Sequence, residues 1–476
     1  MKSAKLRILL FSVVFFYFNS ANAQIPEKLS LEQCIQIALK RNSMVRIAEN
    51  QLDQSRADVL GSYSGVLPSI DFGVQSSRFI QGDILNLRDI PVSFEKDSLF
   101  LPVFSFTGDT IGYAPFIKIG EPVKYEQRWI TQPGFTRDGH GVGIVLNQTI
   151  YDGGQSWNRI KMARNLEISS EHSLEMTRNS IIQLVKMRYF ELLRAKKLQE
   201  VYEEAVKLSE EQLRRTESMY EIGAVARTDV YKARVQLGNN KINLINQKNI
   251  VAMAASNLNI ILGFDPSYPV DIKDSIPERA EYPSLQEAIK IAEENNPELK
   301  KLETDLKAGE LNLKIARGGN LPRLTGYISY NRSNPELNKI YSDFDKNWNL
   351  NVRLSLGINL FSGFQTRSNV EKARAQLMIY RENLLQKKRD IAMEVKEAYI
   401  TLKAYEQIVR INTENKKSAE EDLRLAQERY NVGSGTLLEV LDAQVALIRA
   451  NHILVSAKYD TEIAFSKLEK AMGAYN

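Results

Sequence analysis

The chain has 476 residues, 43% hydrophobic and 25% charged, ordinary values for a folded protein of several domains or one elongated body. Its net charge of +5 falls to about +2 once the leader residues Lys2, Lys5 and Arg7 are set aside, which makes no case for a nucleic-acid partner. The single cysteine, Cys34, excludes an internal disulfide and a cysteine-based metal cluster.

In chain order, Lys2, Lys5 and Arg7 precede an apolar run, Ile8 to Phe18, of 11 residues, too short to span a bilayer as a helix. Ala21-Asn22-Ala23 follows as a cleavage pattern, so 1–23 reads as an export signal and the mature chain begins at Gln24. No other long apolar run exists, so the mature chain either stays soluble or enters a membrane as β-strands.

A first repeat is predicted over 24–263. Ser30 with Gln33 forms a capping box that starts a helix, and Cys34 beside Ile35 and Ala38 is expected to be buried in it. Strands are predicted over about 69–79, where Ile70, Phe72 and Val74 alternate, and 141–151. In the latter, Val142, Ile144, Leu146 and Ile150 share a face that Gln148 interrupts. Between them, about 80–140 holds five of the fourteen prolines and Phe94, Phe100, Phe104, Phe106 and Phe116. This stretch reads as a long extracellular loop. Residues 155–222 lack Gly and Pro, so a helix over about 154–222, roughly 100 Å long, follows. A return helix is placed at about 228–262 and a linker at 264–283.

The second repeat, 284–476, copies the first. Ser30-Leu31-Glu32-Gln33 recurs as Ser284-Leu285-Gln286-Glu287; at the same offset of 254, Asn42 matches Asn296 and Leu67-Pro68 matches Leu321-Pro322. At offset 210, Tyr189 matches Tyr399, Gly223 matches Gly433 and Gly263 matches Gly473. The first copy therefore carries 44 extra residues between Arg78 and Val142. Pro297 predicts a break or kink in the second copy's opening helix. Strands are expected over about 323–333 and 348–360, a long helix over 364–432 and its return over 436–472. In 348–360, Trp348, Leu350, Val352, Leu354, Leu356, Ile358 and Leu360 alternate with polar or small residues, as a wall between lipid and water requires. Val395, Ala398, Leu402, Tyr405, Val409, Asn412, Lys416, Ala419, Leu423, Ala426 and Tyr430 are spaced by threes and fours. Leu438, Leu441, Val445, Ile448, His452, Val455 and Tyr459 continue that spacing after the turn, as the shallow seam of an antiparallel helical hairpin.

Four strands cannot close a water-filled barrel, and lipid tolerates no open sheet edge. The chain must then pool strands with copies of itself; three copies give twelve.

These features, with Leu29-Ser30-Leu31-Glu32-Gln33-Cys34-Ile35-Gln36-Ile37-Ala38-Leu39 and the hairpin from Arg429 to Gln444, resemble the TolC family of outer-membrane efflux proteins over nearly the whole mature chain. The resemblance implies a mostly α fold with a membrane β-barrel. A homotrimer would form a twelve-stranded barrel in outer-membrane lipid and a twelve-helix tunnel in the periplasm of a Gram-negative bacterium. Its implied partners are a periplasmic adaptor (a membrane fusion protein) and an inner-membrane transporter of RND, ABC or MFS type, with no cofactor. Adaptor contact maps to the turns Ile222-Gly223-Ala224 and Val432-Gly433-Ser434, and a periplasmic gate to Tyr430, Glu439, Asp442, Thr228 and Asp229. Glu439 and Asp442 share a helical face, though Thr436-x-x-Glu439 is also a capping box. Gly435 stands where the family often has a bridging arginine, a loss that either Arg227 or Lys232 makes good or that leaves the resting closure looser.

A coiled-coil tether in the periplasm without a pore is the alternative, but it needs no lipid-facing ladder such as 348–360. The sequence contains no Ser/His/Asp or Cys/His constellation and no glycine-rich phosphate loop, and its three histidines are scattered. Catalysis and a metal site are therefore not expected.

Overall fold

The structure, a computed structural model, describes residues 28–274, 281–342 and 344–475; the export signal and linker residues 275–280 lie outside the described residues. Two compact units are present. One comprises the chain up to Ser62, Asn158–Ala316 and the chain from Gln365, and the other Tyr63–Trp157 and Arg317–Phe364.

The elements in order are α1 (Leu31–Arg41), α2 (Ser43–Ser62), β1 (Ser69–Gln81), β2 (Ile84–Phe104), β3 (Thr110–Gln132), β4 (Phe135–Asp152), α3 (Gln155–Glu221) and α4 (Arg227–Leu262). Then come α5 (Leu285–Asn295), α6 (Pro297–Gly318), β5 (Arg323–Asn334), α7 (Lys339–Ser342), β6 (Trp348–Gly357), α8 (Gln365–Asn431) and α9 (Leu437–Met472).

In the helical unit the duplication reaches single hydrogen bonds. Ser30 accepts from the Gln33 amide and Ser284 from the Glu287 amide, capping α1 and α5. Asn42 Nδ2 donates to the Ile261 carbonyl and Asn296 Nδ2 to the Ala471 carbonyl, while their side-chain oxygens accept from Met44 and Glu298 amides at 2.8 and 2.9 Å. The chain breaks at these asparagines in both copies, and Pro297 takes the first position of α6, where its missing N–H costs nothing. The α4 and α9 helices end at Gly263 and Gly473, both at positive φ. Ile181, Val185, Leu192 and Leu258 are buried in one core, and their repeat partners Ile391, Val395, Leu402 and Leu468 in a second. Cys34 lies wholly inside the first, and burial pushes its thiol up to about 12.

The α8 seam from Val395 to Leu402 and from Leu423 to Tyr430 is buried, but Leu438 and Val445 of the predicted α9 seam are exposed. α9 instead turns Leu437, Val440, Leu441 and Gln444 inward. It carries two apolar stripes, and a heptad reading of one helix cannot tell which stripe its own hairpin partner covers.

The strand unit holds an antiparallel sheet of order β1-β4-β5-β6. Its register places Phe72, Ile144, Tyr330 and Leu350 in one row, and Ile70, Leu146, Ile328 and Val352 in the next. Opposite faces alternate, so Asp71, Val145, Ser329 and Asn351 form a row behind them. Gln148, which interrupts the apolar face, stays in register opposite Gly326 and its amide donates to the Val66 carbonyl; a register shift follows it, between Thr149 and Tyr151. β6 stops at Gly357, three residues short of the predicted end.

The stretch read as a loop is regular structure. β2 and β3 pair as a two-stranded antiparallel ribbon of 21 and 23 residues. Prolines obscured it, because they suit strands whose outer edge is unpaired. No described helix is long and apolar enough to cross a membrane.

Leu192→Ala and Leu402→Ala should each cost about 2–5 kcal/mol by opening a cavity, read as a lower thermal midpoint of the helical circular-dichroism signal. The two losses should be similar, since the two sites are copies.

Candidate functional site at the helical turns

Each long helix must reverse within a few residues, and both turns do so alike. The Gly223 amide donates to the Tyr220 carbonyl and the Ala224 amide to the Met219 carbonyl; in the second turn Gly433 donates to Tyr430 and Ser434 to Arg429. Gly223 and Gly433 have φ of +78° and +76°, the left-handed conformation that closes such a helix end. Ile222 and Val432 are thrown outward, 80% and 79% exposed, and Ala224 and Ser434 are exposed beside them. The six predicted tip residues thus form two matching knuckles.

The helix starts differ. α9 begins after Thr436, whose hydroxyl accepts from the Glu439 amide at 3.3 Å. α4 begins after Ala226, which supplies no side-chain cap. Behind the turns, Ala233 of α4 packs in one cluster with Ala426, Tyr430, Leu437, Val440 and Leu441, so the ends of both hairpins share a core.

Tyr430 is buried in this core, with its ring against apolar neighbours. Burial is the main cause that raises its phenol; the Thr216 hydroxyl opposes the shift and the Asp229 charge adds to it. Tyr430 and Asp229 are therefore brought within electrostatic reach, whereas Thr228 and Asp442 are exposed and join no cluster. Glu439 lies in the first turn of α9, where the helix dipole favours its charge. Its carboxylate is 3.2 Å from the Arg429 guanidinium. Lys232 lies 3.7 Å from Asp229, and the Arg227 guanidinium sits over the Tyr231 ring at 5.5 Å. Lys232 is thus placed near a predicted gate acid, while Arg227 is not.

Arg429 is the residue the sequence reading missed. It lies five positions before Ser434 and Glu439 five after, so folding the chain back on that turn would have paired them. Both side chains are partly solvated, which limits such a pair to at most about 1 kcal/mol. Arg215, also unforeseen, donates to the Asn431 side chain at 3.0 Å and ties the first hairpin to the second.

The sequence matches the outer membrane efflux protein family over residues 131–264 and 288–474. The outer membrane protein TolC of Vibrio cholerae is 27% identical over 348 residues, 70% of this chain and 76% of that protein. The Campylobacter jejuni CmeC outer membrane channel superposes with a TM-score of 0.74 at 17% identity, over 93% of this chain and 85% of its own. The Neisseria gonorrhoeae MtrE outer membrane channel gives 0.72 at 18% identity, over 93% and 88%.

Tyr430 titrates higher folded than unfolded, so its contribution to stability is complete below the ordinary phenol range and disappears as pH rises through the raised value. Unfolding midpoints measured from about pH 8 to 11 should fall less steeply at the alkaline end for Tyr430→Phe than for the unaltered chain.

Proposed function

The chain belongs to the outer membrane efflux protein family, and from that membership we propose that three copies of it build one duct through which an inner-membrane pump expels its cargo. It is an outer-membrane export channel of a tripartite efflux system in a Gram-negative bacterium. The observation that carries the three-copy reading is the sheet: its rows of exposed apolar residues suit lipid, yet its edges β1 and β6 have no partner strand among the described residues. Identical neighbours would satisfy those edges, giving twelve strands around a pore. The helical unit favours the same assembly. Val235, Ile242 and Ile245 of α4 and Met393 and Ile400 of α8 are large apolar residues left exposed on an export protein's helices. Neighbouring copies would cover them, and α3, α4, α8 and α9 would contribute twelve helices to a tunnel.

In this reading the knuckles Ile222-Gly223-Ala224 and Val432-Gly433-Ser434 meet a periplasmic adaptor, which joins the duct to a transporter of RND, ABC or MFS type. Exposed Ile222 and Val432 would enter apolar recesses on the adaptor, and each glycine supplies the positive φ that presents them. Three-fold symmetry would bring three Glu439 and three Asp442 around one axis just inside the tips, with Tyr430 and Asp229 behind them and Thr228 at the turn. Such a ring attracts cations and repels anions. Arg429 neutralises part of it, taking up the task that the arginine absent at Gly435 would have done. The duct itself performs no catalysis and needs no cofactor; it positions and passes what the pump delivers. A tether without a pore is disfavoured by the two apolar rows that run across all four strands.

Recording single channels in planar bilayers tests the gate. Replacing Glu439 and Asp442 together by alanine should lower cation preference by roughly two-fold or more and weaken block by multivalent cations. Arg429→Ala should move selectivity the opposite way. If both variants keep the parent's selectivity and block, these residues do not line the constriction.

A further inference from the structure

The β2–β3 ribbon has no function in the duct as described, and no counterpart in the second repeat. Its strands of 21 and 23 residues extend about 70 Å. A two-stranded ribbon has almost no core and is marginal alone in water. The end of this one nearest its turn is also apolar on both faces. Phe100 and Tyr113 lie on one face with Pro102 and Pro115, and Leu99, Leu101 and Val103 on the other, all of the large ones exposed. Phe106 at the turn is fully exposed. Between Ser98 and Ile117 the only charged residue is Asp109. Such a surface requires a cover.

Three observations select the cover. The first is the junction. β2 continues β1 and β3 continues β4 through Gly82-Asp83 and Pro133-Gly134, where the Gly134 amide donates to the Asp83 carboxylate at 2.6 Å. A Cβ on Gly134 would lie 2.2 Å from the Gln81 carbonyl oxygen, so the strands pass this point in close contact. Each copy's ribbon therefore rises from the rim of its own sheet, and a three-copy barrel would set three ribbons around one mouth at high effective concentration. The second is charge. Residues 84–132 carry five basic and six acidic residues, confined to the middle of the ribbon apart from Asp109, so identical ribbons do not repel. The third is proline. Pro91, Pro102, Pro115 and Pro122 interrupt both strands, and each removes a donor that an added strand would need. Recognition then runs through side-chain faces and not through strand addition.

We infer that the three ribbons of one assembly pack face to face through Phe100, Leu101, Phe106 and Tyr113 to form an apolar cap over the outer mouth of the duct. The inference rests on the three-copy reading above. The partner is the same ribbon on the other two copies, and the cap is a constriction built wholly from the strand unit, separate from the Glu439 ring of the helical unit.

Site-directed cross-linking of the full-length protein in outer-membrane fractions tests it. Cys34 is buried, so an introduced thiol reports alone. Tyr113→Cys and Phe106→Cys, treated with a short bis-maleimide, should yield covalent dimers within native trimers, while the lipid-facing control Leu350→Cys yields none. Deleting 84–132 and joining β1 to β4 through an Asn-Gly turn should leave the trimer intact and raise single-channel conductance. Native trimers that give no dimer at either ribbon position, or a deletion that leaves conductance unchanged, would overturn the cap while leaving the duct standing. A chain that sizes as a monomer would remove the duct and the cap together.

Discussion

A backbone amide facing hydrocarbon without a partner costs several kcal/mol, and this constraint organises the whole molecule. The four-stranded sheet satisfies its inner strands β4 and β5, and among the described residues the outer sides of β1 and β6 stay open. Water would tolerate that edge; lipid does not. The apolar rows through Phe72, Ile144, Tyr330 and Leu350 put the sheet against lipid, so the edge problem becomes a demand for further copies. The demand reaches the helices as well, since a unit that must be completed from outside can leave a second apolar stripe on α9 exposed.

Duplication meets this demand economically. One unit used twice supplies two pairs of strands and two helical hairpins per chain, and the same asparagine bridges each copy's opening helices to the end of its return helix, Asn42 to Ile261 and Asn296 to Ala471. The copies diverge where they face different tasks. The first acquired the β2–β3 ribbon between its strands, while the second connects β5 to β6 through the four-residue α7.

Much of this was legible in the sequence for physical reasons. Stretches lacking Gly and Pro define α3 and α8 because little else halts a helix. Strict alternation defines β6 because each face meets a different solvent. The turn glycines were legible because positive φ suits few other residues. The ribbon was not, because the apolarity of its turn end on both faces and its prolines erase the alternation that marks a strand. Nor was the Arg429–Glu439 pair, which exists only once the turn has folded the two helices against each other. The choice of Leu437 over Leu438 as the inward residue of α9 was likewise invisible, since adjacent leucines satisfy either phase until a neighbouring helix takes one of them.

The unequal helix starts beyond the two knuckles have a consequence for how a duct of this kind would yield. Thr436 ties down the first turn of α9 and Arg429 clasps Glu439 across the bend, whereas α4 starts bare after Ala226. Around a ring of three such chains, firm and soft hinges would alternate. The first turn of α4 is then the one to fray first, so each chain sets one loose start beside one tethered one.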